Sequence, residues 1–247
     1  MPILLLNSFT FSLYQLVSGK KGTTQTGITH PTFMEICRMK KFLFSAALLS
    51  LGLTAIPASA EVGFGADAVS RYVWRGGSND AASVQPGISY STGAVEIGAW
   101  STWAINGDGA NENNLYVSFA AGPVGITVTD YFSGDAQFFS YGNDKGVHIL
   151  EVMASYATED MPISITGAFN VSGDSEDSFW LEATYDLGEV DETAVSITAG
   201  AGNGAYTTDT DPTLVTIGVN LSKGDYFASY ILNPDAERTF LVFGRSF

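Results

Sequence analysis

Polar and apolar residues alternate one by one through most of the chain after residue 60. From Val62 to Trp74 the even positions are Val62, Phe64, Ala66, Ala68, Ser70, Tyr72 and Trp74, while the odd ones include Asp67, Arg71 and Arg75. Successive side chains of a strand point to opposite faces, so this segment predicts one strand with an apolar face and a charged face. Phe64 and Tyr72 place aromatics near both ends of the apolar face. That spacing suits the ~25 Å apolar band between aromatic girdles of a membrane barrel.

The same alternation returns along the chain. Val84, Ile88 and Tyr90 share a face, as do Val95, Ile97 and Ala99, then Leu115, Val117 and Phe119, then Val124, Ile126 and Val128. Leu150, Val152, Ala154 and Tyr156 follow, then Ile163, Ile165 and Phe169, then Phe179, Leu181, Ala183 and Tyr185, then Val195, Ile197 and Ala199. Val215, Ile217, Val219 and Leu221, a strand at 226–232 and a last one at 239–247 bring the count to twelve, with ten as the alternative. Connections after odd-numbered strands (about 76–82, 106–113, 133–147, 172–178, 202–213 and 233–238) are longer than those after even ones (about 91–93, 121–123, 157–161, 186–192 and 222–225). An even-stranded barrel with short turns at one end and long loops at the other predicts this asymmetry. The expected fold is all-β, an antiparallel transmembrane β-barrel. A soluble β-sandwich also alternates, packing its apolar faces inward; the paired aromatic ends and the terminal Phe247 favour the barrel. Asp130 and Arg245 fall in the apolar phase and resist the scheme unless they lie at an interface.

What precedes the barrel reads as a secretion leader. Met39-Lys40-Lys41, an apolar run from Phe42 to Ile56 and Ala58-Ser59-Ala60 form the three parts of a cleaved signal peptide, with Glu61 the first mature residue. The run falls short of the ~20 residues of a transmembrane helix. Residues 1–38 read as an upstream extension from an early start, residues 39–60 as the signal peptide, and 61–247 as the one barrel domain. The lone Cys37 lies upstream, so disulfide and thiol chemistry drop out of the mature part.

Charge narrows the partners. Six basic residues (Arg71, Arg75, Lys145, Lys223, Arg238 and Arg245) stand in 61–247 against 25 of the chain's 26 acidic residues, Glu35 being the exception, which gives −19 for that segment. A chain so acidic is a poor partner for nucleic acid or an anionic surface. Outer-membrane lipids, lipopolysaccharide and the barrel assembly machinery are the expected partners, with small polar solutes or cations as possible cargo. The closing strand would carry the assembly signal in Phe247.

The opening strands resemble a known family. Ala68-Val69-Ser70-Arg71-Tyr72-Val73-Trp74-Arg75-Gly76, Val84-Gln85-Pro86-Gly87-Ile88-Ser89-Tyr90 and Glu96-Ile97-Gly98-Ala99-Trp100-Ser101 resemble the TorF-type family of porin-like outer-membrane proteins. Arg71 occupies the family's usual Asp position, and Gly77 replaces the usual Ile after Arg-Gly. The match spans about 61–101 and is architectural beyond. It implies an outer-membrane barrel with suspected pore activity and no assigned solute.

Asp67, Arg71 and Arg75 share the charged face of the first strand at spacings of four, and Glu96, Glu151 and Glu182 take the same phase on strands three, six and eight. These six are the pore-lining candidates, since charged rings set selectivity in pores. A salt-bridged interior that plugs the barrel fits the same residues equally well, because interior charges need partners in either case. The long loops carry Asp80, Asp108, Glu112, Asp135, Asp144, Asp174, Glu176, Asp177, Asp209, Asp211, Asp235 and Glu237, which read first as soluble surface and secondly as a cation-concentrating mouth. His148 is the single histidine of 61–247. The serine that follows the histidine by two in outer-membrane phospholipases is here Leu150, so no catalytic residue is expected and a hydrogen bond at the loop edge is the reading for His148. Neither a metal cluster nor a phosphate-binding glycine loop appears, so no cofactor is expected. A porin for passive diffusion with a preference for cations is the first functional reading. A non-conducting structural or assembly barrel is the alternative, and a lipid-active enzyme the third.

Overall fold

The alternation resolves into twelve strands that close on themselves. A computed structural model of the chain describes residues 60–79, 81–105, 111–133, 148–158 and 160–247. The leader expected at 39–60, save Ala60, lies outside the described residues, as do residues 1–38, Asp80, Asp108, Asp135, Asp144 and Lys145.

The barrel strands are β1 (Glu61–Val69), β4 (Ser83–Thr92), β5 (Val95–Ala104), β6 (Glu112–Ala121), β7 (Val124–Ser133), β8 (His148–Ala157), β9 (Ile163–Ser172), β10 (Phe179–Val190), β11 (Thr193–Gly202), β12 (Thr213–Lys223), β13 (Tyr226–Asn233) and β14 (Arg238–Ser246). Each pairs antiparallel with its sequence neighbour, and β1 closes the ring on β14 through Asp67↔Ser246, Ala68↔Arg245 and Val69↔Gly244. Phe247 extends the seam, its amide donating to the Ala66 carbonyl at 2.9 Å. Two short strands, β2 (Val73–Trp74) and β3 (Gly77–Ser78), pair only with each other. The connections at one end run two to five residues and those at the other four to fourteen, the asymmetry expected of the sequence.

The polarity is inside out. Phe64, Ile88, Ile97, Leu181, Tyr230, Leu241 and Phe243 project away from the lumen and are exposed. Gln85, Glu96, Asn114, Ser118, Glu151, Asn170, Glu182 and Ser229 point inward and are buried. A soluble sandwich shows the reverse arrangement. Strands of eight to twelve residues match the ~9–11 tilted residues that cross a hydrocarbon core.

Four expectations are corrected. The first strand does not run to Trp74: β1 ends at Val69, and residues 70–79 turn into the barrel as a hairpin. Tyr72 and Trp74, expected on the apolar outer face, are 3% and 8% exposed inside. The physical reason is length, since thirteen residues exceed one crossing. Secondly, Val215 points inward and is fully buried, because the β11–β12 register shifts between Gly200 and Ala201, and a bulge turns the extra residue to the other face. Thirdly, Glu112 is no loop residue; it opens β6 and points into the lumen. Fourthly, β10 continues to Val190 through a register shift at Asp186/Gly188, leaving only residues 191–192 as the turn.

The two misfit charges of the outward phase are paired. Asp130 and the His148 Nδ1 meet at 2.9 Å on the outer face near the long-loop end, with the Phe132 ring stacked on the imidazole at 4.7 Å. Arg245 lies at the short-turn rim, 3.8 Å from Asp225 and over the Tyr226 and Phe247 rings. Arg245 sits at the end of β14 and Asp130 three residues from the end of β7, both toward the rims, where charge costs less in a membrane barrel than at mid-depth.

Candidate functional site

The hairpin inside the barrel organises the lumen. Its two-residue turn is Arg75-Gly76, with φ of 45° and 75°. Positive φ at both central residues is the geometry that matches strand twist in a tight hairpin. A Cβ on Gly76 would lie 2.8 Å from the Val215 side chain and carbonyl, so the tip passes against β12 with no space for a side chain. The Asn233 amide donates to the Gly76 carbonyl at 2.9 Å and ties the tip to β13.

Both faces of the hairpin are buried. Tyr72 and Trp74 pack with Trp100, Tyr131 and Ile149 on the β5–β8 side, while Val73 packs with Ile231, Phe240 and Val242 on β13 and β14. The wedge thus spans the lumen from wall to wall. Alternation within residues 72–74 is real, but both of its faces meet protein.

Arg75 sits at the centre of the plug. Its Nη1 and Nη2 donate to Glu151 Oε2 and Oε1 at 2.5 and 3.0 Å, and the two side chains are 4% and 1% exposed. Tyr131 donates to the same carboxylate at 2.9 Å, and Tyr206, which accepts from Arg75 at 2.5 Å, donates to it at 3.2 Å. The guanidinium carbon lies 4.2, 4.9 and 5.6 Å from the Trp74, Tyr206 and Trp180 rings. The Trp180 indole packs against Gly200, where a Cβ would come within 2.2 Å of the ring. A bidentate pair out of water, with each partner further hydrogen-bonded, is the arrangement in which buried charges are tolerated.

A cavity of about 90 Å³ remains beside the wedge, against β1, β4 and the β10–β14 wall. That volume has room for several waters at roughly 10–15 Å³ each. Asp67, Arg71 and Glu182 line it together with Tyr72, Gln85 and Asn220. Ser246 donates to Asp67 at 2.5 Å, Trp180 donates to Glu182 at 3.3 Å, and Arg71 lies over the Phe240 ring at 5.8 Å. The wall itself is a neutral ladder: Thr184 and Thr198 are bonded at 2.9 Å, Asn220 donates to Thr198 at 3.1 Å and Ser229 donates to Asn220 at 2.9 Å.

The six candidates therefore divide. Asp67, Arg71 and Glu182 meet at the cavity, Arg75 and Glu151 form the plug, and Glu96 is buried apart from both, accepting from Tyr116 at 3.0 Å. Arg75 reaches the lumen from the hairpin turn rather than from the first strand. Sequence reasoning missed Glu112, which accepts from Asn114, and the cage residues Tyr131, Trp180 and Tyr206. The signal for the first two cage residues was inward phase; Tyr206 comes from a 3-10 turn (Gly204–Tyr206) that no periodicity marks. Phe247 is exposed at the seam. Among the described residues, no cluster of three or more His, Cys, Asp or Glu side chains could hold a metal ion.

No protein-family model matches the chain, and no curated protein does. Among solved structures the chain is similar to a KdgM porin at 11% identity, over 76% of this chain and 98% of that one, with a TM-score of 0.46.

Proposed function

We propose that the protein is an outer-membrane barrel of the porin class, passing small polar solutes with a preference for cations. The observation that carries this reading is the closed twelve-stranded ring with an apolar outside and a polar inside. Such a ring satisfies every strand edge, the condition for crossing hydrocarbon without unpaired backbone groups. A Gram-negative outer membrane is where single-chain barrels of this build reside, reached here by cleavage after Ala60 and assembly through the strand ending in Phe247. The motifs at 61–101 support a relation to the TorF-type family. The route would follow the cavity beside the hairpin, where Asp67 and Glu182 outnumber Arg71.

A second reading, a non-conducting structural barrel, is favoured by one observation: the wedge of residues 70–79, anchored on both walls and latched by Arg75–Glu151. Single-channel recording of the refolded barrel separates the two. Resolved unitary currents support the porin, and a silent bilayer containing folded barrel supports the structural role. Under a salt gradient, the reversal potential should show cation preference that shrinks at molar salt, where the screening length falls to about 3 Å. Asp67→Asn or Glu182→Gln should weaken the preference and Arg71→Gln strengthen it; anion preference in the unmodified protein would mean that Arg71 governs the route.

A further inference from the structure

Arg75 occupies a receptor that its own hairpin hardly builds. Glu151 comes from β8, Tyr131 from β7, Asn170 from β9, Trp180 from β10 and Tyr206 from the 203–206 turn; of the groups around the guanidinium only Trp74 belongs to the hairpin. Asn170 completes the set, its Oδ1 lying 3.4 Å from the Tyr206 hydroxyl as the alternative acceptor for that one proton.

We propose that the long-loop half of the lumen contains a binding site for guanidinium-bearing cations, with Arg75 as its built-in occupant. The carboxylate of Glu151 meets the planar fork with two parallel bonds, which an ammonium cannot reproduce. The Tyr206 and Trp180 rings offer their faces to a flat cation at 4.9 and 5.6 Å. The tight turn does not itself require arginine: φ of 45° suits Asn or Gly better than a long side chain. The site therefore explains why a residue ill-suited to the turn stands there. With Arg75 truncated, Glu151 becomes a buried carboxylate without its counter-ion, and a free guanidinium that enters restores both the charge balance and the fork. In the unmodified chain the tethered group competes at an effective concentration of about millimolar or more, so free cations gain entry only above that range. The inference is independent of conduction, and a silent barrel would carry the same site.

The test uses barrel refolded in detergent micelles, methylguanidinium chloride as the probe and methylammonium chloride as the control. In Arg75→Ala, methylguanidinium should raise the melting midpoint and shift tryptophan emission saturably at about millimolar concentration, with methylammonium at least about tenfold weaker. The unmodified protein should respond only at higher concentration, and Arg75→Ala/Glu151→Gln should not respond. Equal responses to the two cations, or a methylguanidinium response that survives in the double variant, would overturn the proposal. Should Arg75→Ala fail to assemble by itself, refolding yield becomes the readout. Rescue by methylguanidinium and not methylammonium then supports the site, and no rescue by either overturns it.

Discussion

The two walls of the lumen solve one problem with different chemistry. On β5–β8, carboxylates are buried against specific donors: Glu96 with Tyr116, Glu112 with Asn114, and Glu151 with Arg75 and two tyrosines. On β10–β13, hydroxyls and one amide bond to one another beside the cavity. The difference follows from access to water. Where the hairpin fills the lumen, a charge must carry its own partners, because no solvent replaces one that is lost. Where the cavity persists, these neutral groups bond to one another beside Asp67, Arg71 and Glu182, which line the same space, and they lose little when a neighbour leaves.

Breaking the filled wall should have the largest effect. Glu151→Ala leaves the Arg75 guanidinium buried without its counter-ion and should cost about 3–5 kcal/mol of unfolding free energy. Denaturant titration of the refolded barrel measures it; a loss below 1 kcal/mol would mean that the hairpin leaves the lumen readily and lets water to Arg75.

Gly76→Ala acts on the wedge and not on the pair. Its new methyl meets Val215 at 2.8 Å in a backbone that already has φ of 75°. Overpacking of this kind costs about 1–3 kcal/mol, here with the tip displaced from β12. Faster modification of a cysteine placed at Ala81, buried beside the same hairpin, would report the displacement; unchanged protection would show that the tip tolerates the methyl.

On the open wall, Asn220→Ala removes the centre of the ladder and should cost about 1 kcal/mol, since water reaches Thr198 and Ser229 in its place. A cost equal to that of Glu151→Ala would erase the contrast between the walls.

The smallest effect lies in the loop over this barrel end. Burial raises the pKa of the Asp174 carboxyl, but hydrogen bonds from Ser178, Asn170 and the Glu176 amide outweigh it and hold the group below its ordinary value. A depressed folded pKa contributes stability that is complete above the unfolded value and lost as pH falls through the folded one. Asp174→Asn should therefore lower stability slightly at neutral pH and converge on the unmodified protein below about pH 4, which flattens the acid limb of the stability profile. An unaltered acid limb would show that the loop opens before Asp174 is protonated.

Much of this architecture was legible in the residues. Strand number, the outward phase of Phe64, Ile88, Ile97 and Leu241, and the unequal loops all follow from period-two alternation, which one crossing per strand enforces locally. The hairpin was half legible. Thirteen alternating residues are too many for one crossing, and Arg75-Gly76-Gly77 is turn-like, yet alternation alone does not say whether an apolar face meets lipid or protein. Val215 escaped for a related reason, since a bulge shifts phase without altering the composition around it.

What the sequence determined by itself, then, is the ring, because pleat and polarity are properties of each strand and its neighbours. What only the tertiary structure decided is the content of the ring. Arg75 and Glu151 stand 76 residues apart and meet across the lumen, and Tyr206 joins them from a turn 131 residues beyond Arg75. Their pairing is set by how far the hairpin folds inward and by which wall has room for it. Both depend on the volume that all twelve strands enclose together, a quantity that no single stretch of sequence contains.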